Sequence, residues 1–154
     1  PLDYGLVHRL KRERPELTII LNGGVGSLDE VEAHLAHVDG VMLGRAAYHD
    51  PGMLGAVDRR LFGGERDVSA AEAVALYRPY MAEQLAAGTR LAAMTRHMLG
   101  LFTGLPGARA WRRILTVDGV TPGAGLEVVD AALDAVLRAQ DERRRRGLEA
   151  GEAA

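Results

Sequence analysis

Three groups of residues in this chain have the types and spacing to hold an anion. Asn22-Gly23-Gly24 and Gly44-Arg45 each place glycine beside a polar side chain, just after a short apolar run. Glycine there removes the Cβ that would keep a phosphate from the backbone N–H groups, and a helix N-terminus that follows adds partial positive charge. Two such ends on successive parallel strands would make a phosphate cradle, as at the carboxyl ends of (β/α)8 strands. Both motifs also serve as plain turns, and short glycine motifs match often by chance. The third group is Arg109, Arg112 and Arg113. At about 100° per residue they share one arc of a helix, with Ala108, Ala110, Trp111, Ile114 and Leu115 opposite. Clustered guanidinium groups suit phosphates or base edges. The alternative is an ordinary solvated face.

Charge distribution bears on that choice. From Gln84 to Val117 there are five arginines (Arg90, Arg96, Arg109, Arg112, Arg113) and no acid. The whole chain carries −2, so this +5 segment leaves −7 on the other 120 residues. Such local asymmetry is informative where the net charge is not. Arginine is favoured throughout, however: Lys11 is the sole lysine against 18 arginines.

The elements that must position these groups follow from apolar periodicity. Leu17-Thr18-Ile19-Ile20-Leu21 reads as a strand buried on both faces, and Val41-Met42-Leu43 as a second. Between them, Ser27 and Glu30 have capping-box spacing and open a helix with Leu28, Val31, Leu35 and Val38 on one side. Before them, Tyr4 to Arg14 reads as a helix with Val7 and Leu10 inward and His8 solvated, stopped by Pro15. After them, Asp50 caps a helix that begins at Pro51 and ends at Gly63-Gly64.

Strand signals then cease. The residues from Gly63 to Ser69 read as a linker, and all beyond is helical. Ser69 and Glu72 open a helix to about Ala87, with Pro79 implying a kink or break. Further helices are expected from Thr89 to Phe102, around Trp111, and from Leu126 to about Arg146. The expected organisation is an α/β domain over residues 1–66, a helical domain over 67–146 and a fraying tail over 147–154.

Other candidates are weaker. His34 and His37 are three apart on one helix and lack partners for a tetrahedral metal site, so surface histidines are expected and no metal. His49 precedes the Asp50 helix, near the strand ends or simply in a loop. Arg96-His97 is either part of a site or a packed helical pair. The 154 residues, 47% apolar and 26% charged, have a globular balance. No run approaches the ~20 apolar residues of a membrane helix. The opening residues lack the pattern of a secretory leader, so a cytoplasmic location is the default expectation. The absence of cysteine excludes thiolate chemistry within these residues. Two strands alone make no barrel, which needs eight and about 250 residues, so the C-terminal part of a longer protein is expected.

The segments "ILNGGV", "DGVMLGRAAYHDPGML" and "TRHMLGLFTGLPGARAWRR", with the opening "PLDY", resemble the C-terminal half of tRNA-dihydrouridine synthases of the A subfamily. The likeness covers about residues 1–138, and Thr95 to Arg113 is its most specific part. It implies the last two strands of a (β/α)8 TIM barrel that binds FMN, followed by a helical tRNA-binding domain. It implies reduction of a D-loop uridine of tRNA to dihydrouridine, with NADPH reducing the flavin. Asn22, Gly23 and Gly24 match the motif after the seventh strand, which contacts FMN; Gly44 and Arg45 match the one after the eighth, at its phosphate. Arg109 and Arg112 match positions that touch tRNA. The family's catalytic cysteine, and the lysine and histidine from earlier strands, have no counterpart here. The expectation is a chain that is inactive alone, binds FMN weakly if at all, and has the N-terminal half of the same protein as a candidate partner. The competing readings are another flavin- or sugar-phosphate-binding barrel, which gives no reason for the arginine cluster, and a free-standing RNA-binding helical module.

Overall fold

A computed structural model describes residues 2–152, with side chains described to residue 148. The chain divides between Asp67 and Val68 into two units, each with its own core.

The first unit is built on one parallel strand pair. α1 (Tyr4–Glu13) opens it, its N-terminus capped by the Asp3 carboxylate on the Leu6 N–H at 2.9 Å. β1 (Ile20–Asn22) and β2 (Gly40–Met42) pair in the register Ile20–Gly40, Leu21–Val41 and Asn22–Met42. The crossover between them is α2 (Leu28–Leu35), where Ser27 Oγ accepts the Glu30 N–H at 3.2 Å. Leu21, Val25, Val31 and Val38 form the buried centre, with Tyr4, Val7, Leu35 and Val41 against it.

The strands and α1 depart from the sequence reading in three ways. β1 begins three residues later than expected: just ahead of it the Ile19 carbonyl still accepts the Asp39 N–H at 3.0 Å, but side chains take the groups that would carry the ladder further. The Asp39 carboxylate accepts the Ile19 N–H at 2.7 Å, and Lys11 Nζ donates to the carbonyls of Pro15 (2.9 Å) and Leu17 (2.7 Å) while pairing with Asp39 at 2.9 Å. The strands are also not buried on both faces: Ile20 is 64% and Met42 45% exposed. Alternation along a strand sends Leu21 into the core and its neighbours to the other face, which the described residues of this unit leave exposed at Ile20 and Met42. Leu10, expected inward, is 44% exposed for the related reason that α1 packs through Tyr4 and Val7.

After β2 the chain makes α3 (Arg45–His49), a 3₁₀ helix (Pro51–Ala56) and α4 (Val57–Phe62). The single helix expected from Pro51 is thus two pieces, and the Asp50 side chain makes no capping bond. Gly63 ends α4 in the left-handed conformation as expected (φ 73°). Arg60 ties α4 to α2, donating to Glu32 at 2.7 Å and Asp29 at 2.5 Å.

The second unit is helical. α5 (Ala70–Ala86) starts at Ser69, whose Oγ accepts the Glu72 N–H at 3.1 Å, and it continues unbroken through Pro79. α6 is only Leu91–Thr95; the helix expected to reach Phe102 gives way to a chain of i→i−3 turns. There the Met98 carbonyl takes the Leu101 N–H at 3.0 Å and the Trp111 indole N–H at 2.9 Å, which draws the backbone out of α-helical register. α7 (Ala108–Val117) and α8 (Leu126–Glu152) complete the unit. Trp111, Phe102, Met81, Leu91, Leu115, Val129 and Val136 are fully buried between these helices. α8 runs on past Arg146 through the stretch read as a tail. Arg144–Asp141 and Arg146–Glu142 pairs at helical spacing support its end, and the last two residues lie outside those described. Among the described residues no helix is long and apolar enough to cross a membrane.

Candidate functional site

All five residues singled out at the strand tips line one cavity. Asn22, Gly23 and Gly24 follow β1, Gly44 and Arg45 follow β2, and together with Val25, Gly26, Met42 and Ala46 they enclose about 420 Å³. Parallel pairing makes this unavoidable: with Asn22 opposite Met42, both chains leave the sheet at the same end. No acid lines the cavity. Arg45 is exposed and forms no ion pair among the described residues, so its charge is available there.

The glycines have different reasons to be glycine. Gly23 and Gly24 both have positive φ (119° and 71°), and a Cβ on Gly24 would stand 2.6 Å from the Tyr4 hydroxyl and 2.7 Å from Leu2. The turn and its packing therefore require them, whatever ligand is bound. A Cβ on Gly44 would meet only Met42 at ordinary contact distance, so the bareness of that tip is not imposed by its neighbours. The helix contribution also differs from expectation. The N-terminus of α2 is already satisfied by its capping box, with Glu30 accepting the Gly26 N–H at 2.7 Å. α3 is barely more than one turn, so most of the positive potential is carried by the guanidinium of Arg45.

Tyr4 was not singled out by its chemistry. Its hydroxyl donates to the Gly23 carbonyl at 2.8 Å and fixes the glycine turn from α1. The only signal for it was its place in the "PLDY" opening. His49 lies on exposed α3 and outside the cavity lining.

The histidines form a cluster instead of a solvated face. His8 Nε2 lies 3.2 Å from His34 Nδ1, and its ring stacks on His37 at 4.4 Å between centroids. Tyr4 packs on His34 at 4.5 Å. Partial burial, then repulsion from His37, His34 and Arg12, holds His8 below the ordinary imidazole range. Among the described residues no group of three His, Cys, Asp or Glu has metal-binding geometry.

In the second unit α7 has the two faces its periodicity predicted. Trp111, Ala108, Ile114 and Leu115 are buried; Arg109, Arg112 and Arg113 are exposed. Trp111 is fully enclosed, edge-on to Phe102 at 4.8 Å, and fixes how the helix is rotated. None of the five arginines from Arg90 to Arg113 forms an ion pair among the described residues. Some other arginines are matched with acids: Arg78 with Asp130 at 3.0 and 2.8 Å, Arg59 with Asp67 at 2.6 and 3.1 Å. Those partners hold the Asp130 and Asp67 carboxyls below their usual range.

A parallel strand pair joined by a helical crossover gives the first unit the βαβ form of an α/β protein. The chain belongs to the Dihydrouridine synthase (Dus) family, whose pattern matches residues 1–137. Over 137 residues it is 50% identical to the tRNA-dihydrouridine(20/20a) synthase of Escherichia coli (strain K12), covering 88% of this chain and 40% of that protein. It is 51% identical over 134 residues to the protein of the same name from Vibrio cholerae, covering 86% and 41%. The Yersinia pestis protein of that name is 50% identical over 134 residues, covering 86% and 39%. The chain thus spans about two fifths of the length of the curated relatives it matches.

Proposed function

We propose that this chain is the C-terminal part of an FMN-dependent tRNA-dihydrouridine synthase, comprising the last two strands of its (β/α)8 barrel and its tRNA-binding helical domain. The observation that carries the reading is the acid-free cavity in which Asn22, Gly23, Gly24, Gly44 and Arg45 meet at adjacent strand tips. The donor set fits a phosphate ester: backbone N–H groups of glycine, the Asn22 side chain and one unpaired guanidinium. These residues would hold the phosphate tail of FMN, Tyr4 keeping the glycine turn in place from behind. Bound FMN supplies hydride for the uracil ring, and NADPH is its reductant. Arg109 and Arg112 would hold the tRNA, so that a uridine drawn from its stack is presented in one orientation. The names of the relatives give positions 20 and 20a, and the same uridines are proposed here. The protein works in the cytoplasm on this reading.

The chain contains no cysteine, so the proton that completes uracil reduction cannot come from a thiol of these residues. The 154 residues alone are therefore predicted not to turn over. Incubating them with FMN, NADPH and a tRNA transcript, then digesting and weighing the nucleosides, should give no dihydrouridine. Clear turnover would overturn this division of labour. Binding should persist. Arg112→Ala should weaken tRNA affinity, by about 1–3 kcal/mol if the side chain reads a base edge, and lower the salt slope by about one if it meets a phosphate. An unchanged affinity and slope would sink the RNA half of the reading.

A further inference from the structure

The helical unit holds a second and larger cavity that this reading leaves unused. It encloses about 760 Å³ between the turn that leads from α5 into α6 and the Gly119–Gly125 turn that leads from α7 into α8. Thr89, Arg90, Leu91 and Arg96 form one wall, and Val120 and Pro122 stand on the other. The lining contains no acid. Both arginines are exposed, and neither forms an ion pair among the described residues. Arg96 uses only its Nε, on the Ala92 carbonyl at 3.4 Å, which leaves its two terminal amino groups free to bind.

We propose that this cavity receives one unstacked nucleotide of the bound RNA, with Arg90 and Arg96 on its phosphate and its base against the Val120 and Pro122 surfaces. The inference rests on the RNA-binding reading of this unit and adds a site to it. Three observations select this occupant. One wall of the cavity, between Leu85 and Arg96, belongs to the segment that carries five arginines and no acid, which favours an anionic occupant. Its volume falls in the range of about 300–1,000 Å³ that encloses a small organic group, far more than a bare phosphate fills. Its walls mix apolar surface with two guanidinium groups, which suits a base and a phosphate together. Concave shape excludes a duplex, whose bases are stacked and whose backbone cannot enter. A tRNA offers unpaired loop and end nucleotides that can. No aromatic ring lines the cavity, and guanidinium planes and a proline accept any base face, so little base preference is expected.

The test uses the whole chain, with fluorescence anisotropy over a salt series on a tRNA transcript and on a short RNA duplex. Arg90→Ala/Arg96→Ala should weaken tRNA binding about tenfold and lower the salt slope by one to two. Val120→Trp fills the cavity from an exposed position without changing charge; it should weaken tRNA binding about fivefold with the slope unchanged, and leave duplex binding as it was. Thermal melts within about 2 °C of the parent would confirm that both variants fold. If Val120→Trp binds tRNA like the parent, the cavity is not occupied. If the double variant keeps its affinity and slope, the arginines do not hold a phosphate there. Loss with Arg112→Ala but with neither cavity variant would overturn this inference and leave the RNA-binding reading standing. A parent chain that binds no tRNA would remove both. Saturable binding of uridine 5′-monophosphate, abolished by Val120→Trp while tRNA binding is unmoved, would assign the cavity to a free nucleotide and overturn the RNA occupant.

Discussion

Trp111→Phe isolates the contact on which the orientation of the arginine helix depends. Trp111 is completely buried, donates to the Met98 carbonyl at 2.9 Å and lies edge-on to Phe102. Phenylalanine keeps an aromatic ring but removes the N–H and the outer part of the indole. The Met98 carbonyl is not orphaned, because it also accepts from the Leu101 N–H at 3.0 Å, so the hydrogen-bond loss is modest, about 0.5–1 kcal/mol. The vacated space costs about 1 kcal/mol at roughly 24 cal/mol per Å³, and the lost transfer of buried apolar surface about another 1. The expected destabilisation is about 3 kcal/mol. In a helical unit of this size 1 kcal/mol moves the midpoint by about 4–8 °C, so Tm should fall by roughly 12–24 °C. Helical circular dichroism during heating measures this in both proteins. In the parent, the single tryptophan gives a fluorescence signal from this unit alone. Well below the midpoint, tRNA affinity should stay within about threefold of the parent, because the exposed arginines are untouched. A Tm shift under about 4 °C would refute the reasoning, since it would mean that the indole is not the anchor of α7.

Gly107 precedes α7 with φ 86°, and a Cβ there would stand 2.6 Å from the Val136 Cα of α8. Gly107→Ala should therefore cost more than about 2 kcal/mol, read from the urea midpoint, whereas Ala in place of exposed Gly147 should cost nothing. His8 gives a pH dependence of known sign. Its folded value is lowered, so stability of the first unit is full above the unfolded value of about 6.5 and is lost as pH falls through that value toward the folded one. Arg12, His34 and His37 face it, and His8→Phe should flatten the change in urea midpoint between pH 7.5 and 5.5; equal slopes would show that the cluster does not titrate in that window.

Local signals carried much of the fold. Ser27 with Glu30 and Ser69 with Glu72 begin helices where their spacing says, because a cap needs only residues three apart. The burial of Trp111 opposite three arginines followed from helical period alone. What the sequence concealed was set by distant partners. Asp39, twenty residues on, takes the N–H that would have begun β1 earlier. Trp111 bends the chain after α6 by capturing a carbonyl thirteen residues back. His8 looked solvated because His34 lies twenty-six residues away. Ile20 and Met42 read as core because apolarity does not say which face of a strand is covered. The strand-tip cavity was visible as two glycine motifs, but not the Tyr4 hydroxyl that shapes one of them, nor the cavity beside Arg90 and Arg96, which needs two turns some thirty residues apart.

The arginines of α7 are informative because of what they cost the folded chain. Arg109 sits three residues from Arg112 and four from Arg113, spacings at which like charges repel by about 0.2–0.5 kcal/mol a pair. The same chain answers Arg59, Arg60 and Arg78 with aspartate or glutamate at hydrogen-bond distance, so it does not lack acids to place. Among the described residues no acid pairs with the arginines of α7, and buried Trp111 fixes which way they face. Folding thus holds a concentrated positive face at a small energetic loss, and a polyanion is the kind of ligand that recovers it. Salt relieves the repulsion and weakens the binding together. On the proposed function, raising it should therefore stabilise the free helical unit slightly while it weakens RNA binding, two opposite responses from one face.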